Sequence, residues 1–170
     1  MIFIKSWYHI MAFVQRLFLY LLYGTNIKIG KRTTWRKGFS VMKNGDAQIK
    51  IGENCFFNNY CSINANDFIE IGNGSIFGEN VKIYDHNHRF NQHKEIKQQG
   101  FSNAGIRIGQ RCWIGSNVTI LKGTEIGNNC VVGAGCVISG KIPDDSIVKY
   151  KQKIIIDKIL YKDDEINERD

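Results

Sequence analysis

The amino-acid sequence predicts an all-β solenoid, in which the chain winds through a stack of triangular coils around one apolar interior. The first observation is a six-residue repeat, which runs unbroken from Ile108 to Ile138 with an apolar residue opening each unit. The second is glycine, which directly follows the opening residue in eight of fifteen such units. Alternation with a period of two would predict an ordinary sheet, whereas a period of six indicates a corner after every short strand.

The repeat predicts about five coils, because three units close one triangular coil. Stacked coils bury their opening residues in one continuous stripe, as solenoids generally do. The period alone leaves the hand of the coil open. The opening residues, coil by coil, are Ile29, Trp35 and Val41; Ile51, Phe57 and Ile63; Ile71, Phe77 and Ile83; Ile108, Ile114 and Ile120; Ile126, Val132 and Ile138.

The N-terminal segment, residues 1–26, is apolar and aromatic and is predicted to be helical. Lys5 and Arg16 interrupt it, so no uncharged run reaches the roughly 18–20 residues that span a bilayer. Two interpretations stay open. The segment either caps the first coil or a neighbouring subunit, or it lies as an interfacial helix on the inner surface of the membrane.

The solenoid is predicted over residues 27–142, with one long loop at 84–107 and a C-terminal tail at 143–170. The loop breaks the repeat, is polar and holds three of the four histidines. Function is expected where a long loop leaves a regular scaffold. The tail loses the repeat and ends in acidic residues.

The net charge of +7 indicates an anionic ligand or an anionic membrane surface. Nucleic acid is not an expected partner, because no basic run is interleaved with aromatic residues. The five cysteines all stand four residues after an opening residue, where the side chain points inward and cysteine serves as a small apolar residue. No CxxC motif occurs, so we expect neither disulfides nor metal, and a reducing, cytoplasmic compartment. These cysteines are Cys55, Cys61, Cys112, Cys130 and Cys136.

The loop contains imidazoles that could serve as a general base. Neutral imidazole accepts a proton near pH 7, so His86 and His88 are both candidates. Asp85 either orients one of these rings, as carboxylates do in catalytic triads, or forms a turn at the loop entrance. His88 and His93 have the spacing of a zinc pair, but residues 27–85 contain no third histidine, so no metal site is expected.

The hexapeptide units, the loop string YDHNHR and the string IGQRCWIGSNVTILKGTEIGNNCVVGAGCVISGKIPDDS together resemble the left-handed β-helix acyltransferases. Among these, the chain is most similar to the bacterial surface-polysaccharide O-acetyltransferases, near the maltose, galactoside and xenobiotic acetyltransferases. The resemblance covers residues 27–148. It implies a left-handed parallel β-helix, acetyl-CoA as co-substrate, and a homotrimer with active sites between neighbouring subunits.

The resemblance also implies roles for single residues. Aligned from Val81, the catalytic histidine of the family falls on His88, with His86 as its competitor. Trp113 matches a tryptophan that lies close to that histidine and helps to orient it. Asp85 would support an imidazole.

Further matches concern the coenzyme. Ser116 matches a serine near the thioester, although a corner hydroxyl bonded to the backbone is an equal interpretation. Gly133 and Ala134 match the coil along which the pantetheine arm passes. Lys141 and Lys149 are candidates for contacts with the coenzyme A phosphates. The segment after Ile142 departs from the usual family pattern, which leaves the adenine end of the site open.

The function implied is transfer of acetyl from acetyl-CoA to a sugar hydroxyl of a bacterial surface polysaccharide or its precursor. The alternatives are N-acetylation of a nucleotide-linked amino sugar and a non-catalytic structural solenoid. The expected location is the cytoplasm, either free or peripheral on the inner face of the membrane and in contact with a lipid-linked glycan.

Overall fold

The structure, a computed structural model, describes the backbone of residues 2–150 and the side chains from Trp7 onward. Helix α1 (Ile2–Tyr23) and a short 3-10 turn (Gly24–Asn26) precede a stack of parallel coils. The predicted all-β solenoid is therefore confirmed.

Each of the first five coils contributes three short strands, and a sixth contributes two. The first three coils contain β1 (Ile27–Ile29), β2 (Thr34–Trp35) and β3 (Ser40–Lys43); β4 (Gln48–Ile51), β5 (Phe56–Phe57) and β6 (Ser62–Ala65); β7 (Phe68–Ile71), β8 (Ile76–Phe77) and β9 (Lys82–Tyr84). The loop that follows contains β10 (His86–His88), a 3-10 turn (Ile96–Gln99) and β11 (Phe101–Asn103). The later coils contain β12 (Ile106–Ile108), β13 (Trp113–Ile114) and β14 (Thr119–Ile120); β15 (Glu125–Ile126), β16 (Val131–Val132) and β17 (Val137–Ile138); β18 (Lys141–Ile142) and β19 (Ile147–Val148).

Equivalent strands of successive coils stack into three parallel sheets, which form the sides of a triangular prism. Sheet A joins the first strands of six coils, sheet B the second strands of six coils, and sheet C the third strands of five. The register places opening residues directly over one another, as with Ile51 and Ile71, or Ile114 and Val132. Along each strand the residue before the opening residue points outward, because side chains alternate between the two faces.

The corners explain the distribution of glycine and asparagine. At most corners the third residue after the opening residue has positive φ, for example 54° at Asn54 and 70° at Gly74, a conformation that these two residue types adopt most readily, although Arg32, Tyr60 and Arg111 also adopt it. A different constraint acts on the glycine that directly follows the opening residue. A Cβ on Gly72 would lie 2.5 Å from the Gln110 backbone nitrogen in the next coil. Glycine there permits the close stacking of coils.

The solenoid extends past residue 142, where the sequence predicted a tail. Strands β18 and β19 add two sides of a sixth coil, in which Ile142 pairs with Ile126 and Val148 with Val132. The repeat was hidden because Ile142 follows Ile138 by four residues instead of six. The described solenoid therefore ends at Val148, and residues 151–170 of the predicted tail lie outside the described residues.

Helix α1 caps the open end of the first coil. Ala12 and Leu19 are buried against the solenoid. The first coil has no coil before it, so carbonyl oxygens on that side lack a strand partner. Four polar side chains of α1 donate hydrogen bonds to such oxygens: Gln15 to Phe39, Arg16 to Thr33, Tyr20 to Ile29 and Tyr23 to Val41. The helix thus supplies hydrogen-bond partners for the exposed edge of the first coil. No helix within residues 2–150 is long and apolar enough to span a bilayer.

All five cysteines are free and buried, as their position in the repeat predicts. Burial raises the pKa of the Cys61 thiol to about 11 and raises those of Cys55 and Cys112. A thiol reacts as its thiolate, so we expect no reaction of the folded protein with Ellman's reagent at pH 8 and five thiols after denaturation in guanidinium. A fast-reacting thiol in the folded protein would contradict this. Confirmation would also permit thiol-detection assays of the intact protein without interference.

Candidate active site

The loop that follows Tyr84 is built on an antiparallel hairpin. Strand β10 pairs with β11, which sets His86 opposite Asn103 and His88 opposite Phe101. The hairpin leaves the solenoid at the corner between sheets C and A, called here the C–A corner. Because side chains alternate along a strand, the two imidazoles share one face. The Phe101 ring packs against both, with centroid distances of 5.1 Å to His86 and 4.5 Å to His88.

Asp85 anchors this hairpin from a fully buried position. Its carboxylate accepts backbone hydrogen bonds of 2.8 Å from Asn66 and Asp67, at the corner of the preceding coil. It also lies 2.9 Å from His86 Nδ1. A proton on Nδ1 would be donated to this carboxylate, which leaves Nε2 with the free lone pair. Asp85 therefore anchors the loop entrance and contacts one imidazole. Its carboxylate bonds the backbone of an earlier coil and not the backbone of the residues that follow it, so the turn that the sequence offered as an alternative is not what is found.

The two histidines differ in environment. The His86 side chain is 17% exposed and held by Asp85. The His88 side chain is exposed, and no hydrogen bond to its ring is found among residues 2–150. His93 is exposed further along the loop. The described part of the chain contains no cluster of side chains that could hold a metal ion.

A second group of predicted residues lies along the corner between sheets B and C, called here the B–C corner. Ser116, Gly133, Ala134 and Lys149 occupy it in the fourth, fifth and sixth coils. The Gly133 nitrogen donates to the Val148 carbonyl at 2.9 Å, which brings Lys149 beside it. Ala134 and Lys149 are exposed. This corner is lined by small residues and ends in a cation, as a path for a pantetheine arm and a phosphate requires.

Two of the predicted coenzyme residues have structural contacts of their own. The Ser116 hydroxyl accepts a 3.2 Å hydrogen bond from the Glu79 nitrogen, which is the corner role that the sequence left open. Lys141 lies on sheet A, on the side of the prism opposite the B–C corner, and forms a 3.1 Å ion pair with Glu125. The structure does not bring Lys141 together with the other coenzyme candidates.

Trp113 projects from the outer face of sheet B and is 56% exposed. In a triangular coil, sheet B lies opposite the C–A corner, so one chain does not bring the loop histidines and Trp113 together. The outward-facing residues of the strands next to Trp113 are apolar, whereas the outward-facing residues of sheet A are charged. From the second coil onward the outward residues of sheet B are Phe56, Ile76, Trp113, Val131 and Ile147, and those of sheet A over all six coils are Lys28, Lys50, Glu70, Arg107, Glu125 and Lys141.

Sequence reasoning missed Phe101 and the backbone nitrogens of Asn66 and Asp67. The signal for Phe101 was available: an alternating HNH on one arm of the loop and a glycine followed by FSN on the other are the two sides of a hairpin. The Asp85 anchors carry no side-chain signal, because any residue supplies a backbone N–H.

Comparison with known proteins identifies the family of the chain. Residues 105–140 match the family described as bacterial transferase hexapeptide (six repeats). The Escherichia coli protein WbbJ, whose name refers to lipopolysaccharide biosynthesis and O-acetyl transfer, is 32% identical over 131 residues, which are 72% of this chain and 67% of WbbJ. The chain spans smaller shares of several further relatives, from 39% to 59%.

Solved structures agree on the fold. The hexapeptide-repeat acetyltransferase VCA0836 of Vibrio cholerae superimposes with a TM-score of 0.63 at 24% identity, over 75% of this chain and 72% of that one. VCA0836 has also been solved with acetyl coenzyme A. A maltose O-acetyltransferase from Clostridium difficile gives a TM-score of 0.53 at 26% identity, over 74% and 66% of the two chains. The predicted left-handed β-helix is confirmed by these likenesses.

Proposed function

The chain belongs to the bacterial hexapeptide-repeat acetyltransferases, and on that premise we propose that it transfers acetyl from acetyl-CoA to a sugar hydroxyl. The proposed acceptor is a bacterial surface polysaccharide or its precursor, in line with the name of WbbJ. The observation that carries the proposal is the β10–β11 hairpin, which presents an exposed imidazole beside one fixed by a buried carboxylate.

We assign the base to His88 and a positioning role to His86 with Asp85. A base must reach the acceptor hydroxyl, and His88 is the exposed ring. The Asp85–His86 pair ties the start of β10 to the corner between the second and third coils and thereby fixes the position of His88. Phe101 supports both rings from the opposite strand.

The reaction then needs no covalent enzyme intermediate. The His88 imidazole accepts the proton of the acceptor hydroxyl as its oxygen attacks the thioester carbonyl. The new C–O bond forms, the C–S bond breaks, and the imidazolium returns the proton to the departing sulfur. General-base catalysis of this kind contributes on the order of 10²–10⁴-fold. Holding acceptor and donor together contributes further.

We propose that the complete site forms between two copies, within a homotrimer. One copy supplies the loop with His88. The neighbour supplies Trp113 from sheet B and the B–C corner with Ser116, Gly133 and Ala134, along which the pantetheine arm would lie, while Lys149 would meet a phosphate. The separation of loop and sheet B on opposite sides of one solenoid supports this arrangement, as does the apolar outer face of sheet B.

The test is release of free CoA thiol from acetyl-CoA with a panel of acceptors: free sugars, soluble glycan and lipid-linked glycan. We expect acceptor-dependent release, and a product whose acetyl group is removed by mild alkali, because the bond is an ester. An alkali-stable product would identify an amide and assign the chain to N-acetylation. Absence of both thiol release and acetyl-CoA binding would favour a structural solenoid.

A further inference from the structure

We propose that the N-terminal end of the solenoid is a docking surface for an anionic phospholipid membrane. This surface, called here the N-terminal surface, consists of the outer face of α1 and the basic residues of the first coil. It is a separate inference from the acetyl-transfer chemistry, because it concerns residues 7–43 and not the loop or the fourth to sixth coils of the B–C corner.

The first observation is the orientation of α1, in which apolar residues face the solvent and polar groups face the first coil. Its inward face carries the polar groups Gln15, Arg16 and the Tyr20 hydroxyl, which are bonded to the first coil. Its outward face is apolar, which reverses the usual pattern of surface helices. Nine apolar residues of α1 are exposed, and Leu21 reaches 86%: Trp7, Ile10, Met11, Phe13, Val14, Leu17, Phe18, Leu21 and Leu22.

This apolar surface is contiguous. Residues 10, 14, 17 and 21 recur at the i, i+3 and i+4 spacing that makes one helical stripe, and all four are exposed. A groove of about 850 Å³ opens between α1 and the first coil, lined in part by Trp7, Met11, Phe18 and Trp35. Exposed apolar patches of this kind mark membrane or protein contacts. Aromatic residues beside an apolar face are typical of the membrane interface.

The second observation is the distribution of charge. The first 45 residues contain eight Lys and Arg and no Asp or Glu, whereas the remaining residues contain fifteen basic and sixteen acidic. The excess positive charge of the whole chain is therefore confined to the part that carries α1. In the first coil, Lys28, Lys31, Arg32 and Lys37 are exposed around the helix.

The positive charge distinguishes between two binding partners of this apolar surface, a second copy of the chain and a membrane. A second copy docked end to end would bring two such basic sets together, which is unfavourable. An anionic lipid surface complements both the apolar helix and the lysines around it. Docking through this end also leaves the sides of the solenoid free, where the proposed subunit interface and the catalytic loop lie.

The experiment is flotation of the full chain with vesicles of phosphatidylcholine alone or mixed with phosphatidylglycerol. We expect binding to the mixed vesicles that weakens as salt is raised, and little binding to phosphatidylcholine. Each basic residue near an anionic surface contributes about 1 kcal/mol, so Lys28→Gln/Lys31→Gln/Lys37→Gln should weaken binding on the order of a hundredfold. The matched control, Lys94→Gln/Lys97→Gln/Lys141→Gln, removes equal charge from the loop and the last coil and should bind like the wild type.

A second variant tests the apolar part. Leu17→Ser/Leu21→Ser removes two exposed apolar side chains, 53% and 86% exposed, and should weaken binding at least about tenfold while the melting temperature is unchanged. Val137→Ser, exposed on sheet C, should bind normally. Equal binding to both vesicle types, or wild-type binding by either variant, would overturn the proposal. A halved sedimentation mass for Leu17→Ser/Leu21→Ser would also overturn it and assign the surface to a second copy.

Discussion

Replacement of His88 by alanine is expected to lower kcat for acetyl transfer by about 10²–10⁴-fold, with little change in the KM for acetyl-CoA. The reason is that the imidazole would act on the acceptor proton in the transition state and would not contact the donor in the ground state. Loss of an interaction made only in the transition state appears in kcat. The measurement is steady-state CoA release with a saturating acceptor.

The loop offers matched controls for this result. His93→Ala removes the same side chain from an exposed position of the same loop and should leave kcat unchanged. His86→Ala and Asp85→Asn loosen the hairpin, so we expect a smaller fall in kcat and a lower melting temperature, which His88→Ala would not show. If His86→Ala abolished activity in a stable protein while His88→Ala retained it, the base would be His86.

The fold could be predicted almost completely, because one spacing rule governs it. An opening residue such as Ile114 is buried wherever the six-residue period holds, and the corner residue with positive φ is usually Gly or Asn. The prediction ended too early at residue 142, because Ile142 arrives two residues ahead of the period. The shortened unit keeps its place through pairing with Ile126, a contact that no local pattern reveals.

The site was predictable in its residue types but not in its contacts. The loop imidazoles and Asp85 stand out by composition. The burial of Asp85 depends on backbone nitrogens at residues 66 and 67, nearly twenty positions earlier, which become neighbours only when coils stack. For Lys141, the charge suggested a contact with a phosphate. Its strand belongs to sheet A, however, where Lys141 forms an ion pair with Glu125 on the adjacent strand.

The orientation of α1 could not be predicted from its sequence. The segment is amphipathic in either direction, and the usual rule would turn the apolar residues toward the solenoid. The end of a β-helix overrides that rule, because its first coil presents unpaired carbonyl oxygens. Donors such as Gln15 and Arg16 satisfy them, so the polar side of the helix faces inward.

The second large effect is expected at the outer face of sheet B, where Ile76→Glu should convert the proposed trimer into monomers and abolish activity. Ile76 is 44% exposed in the single chain, so a charge there is tolerated by the fold. In the proposed interface the same carboxylate would be buried without a partner, which costs several kcal/mol. Sedimentation equilibrium gives the mass, and circular dichroism shows that the monomer remains folded. Val137→Glu makes the same kind of change on sheet C and should stay trimeric.

Subunit mixing decides whether the loop and the B–C corner of one site come from different copies. His88→Ala disables the loop half, and Ala134→Trp places a large ring where the pantetheine arm would pass, so each variant alone should be inactive. If the halves come from neighbouring copies, random mixing in a cyclic trimer rebuilds about a quarter of the sites. If both halves come from one copy, no mixed trimer contains an intact site and no activity returns. Recovery after unfolding and joint refolding, compared with each variant refolded alone, therefore tests the shared site independently of which acceptor is used.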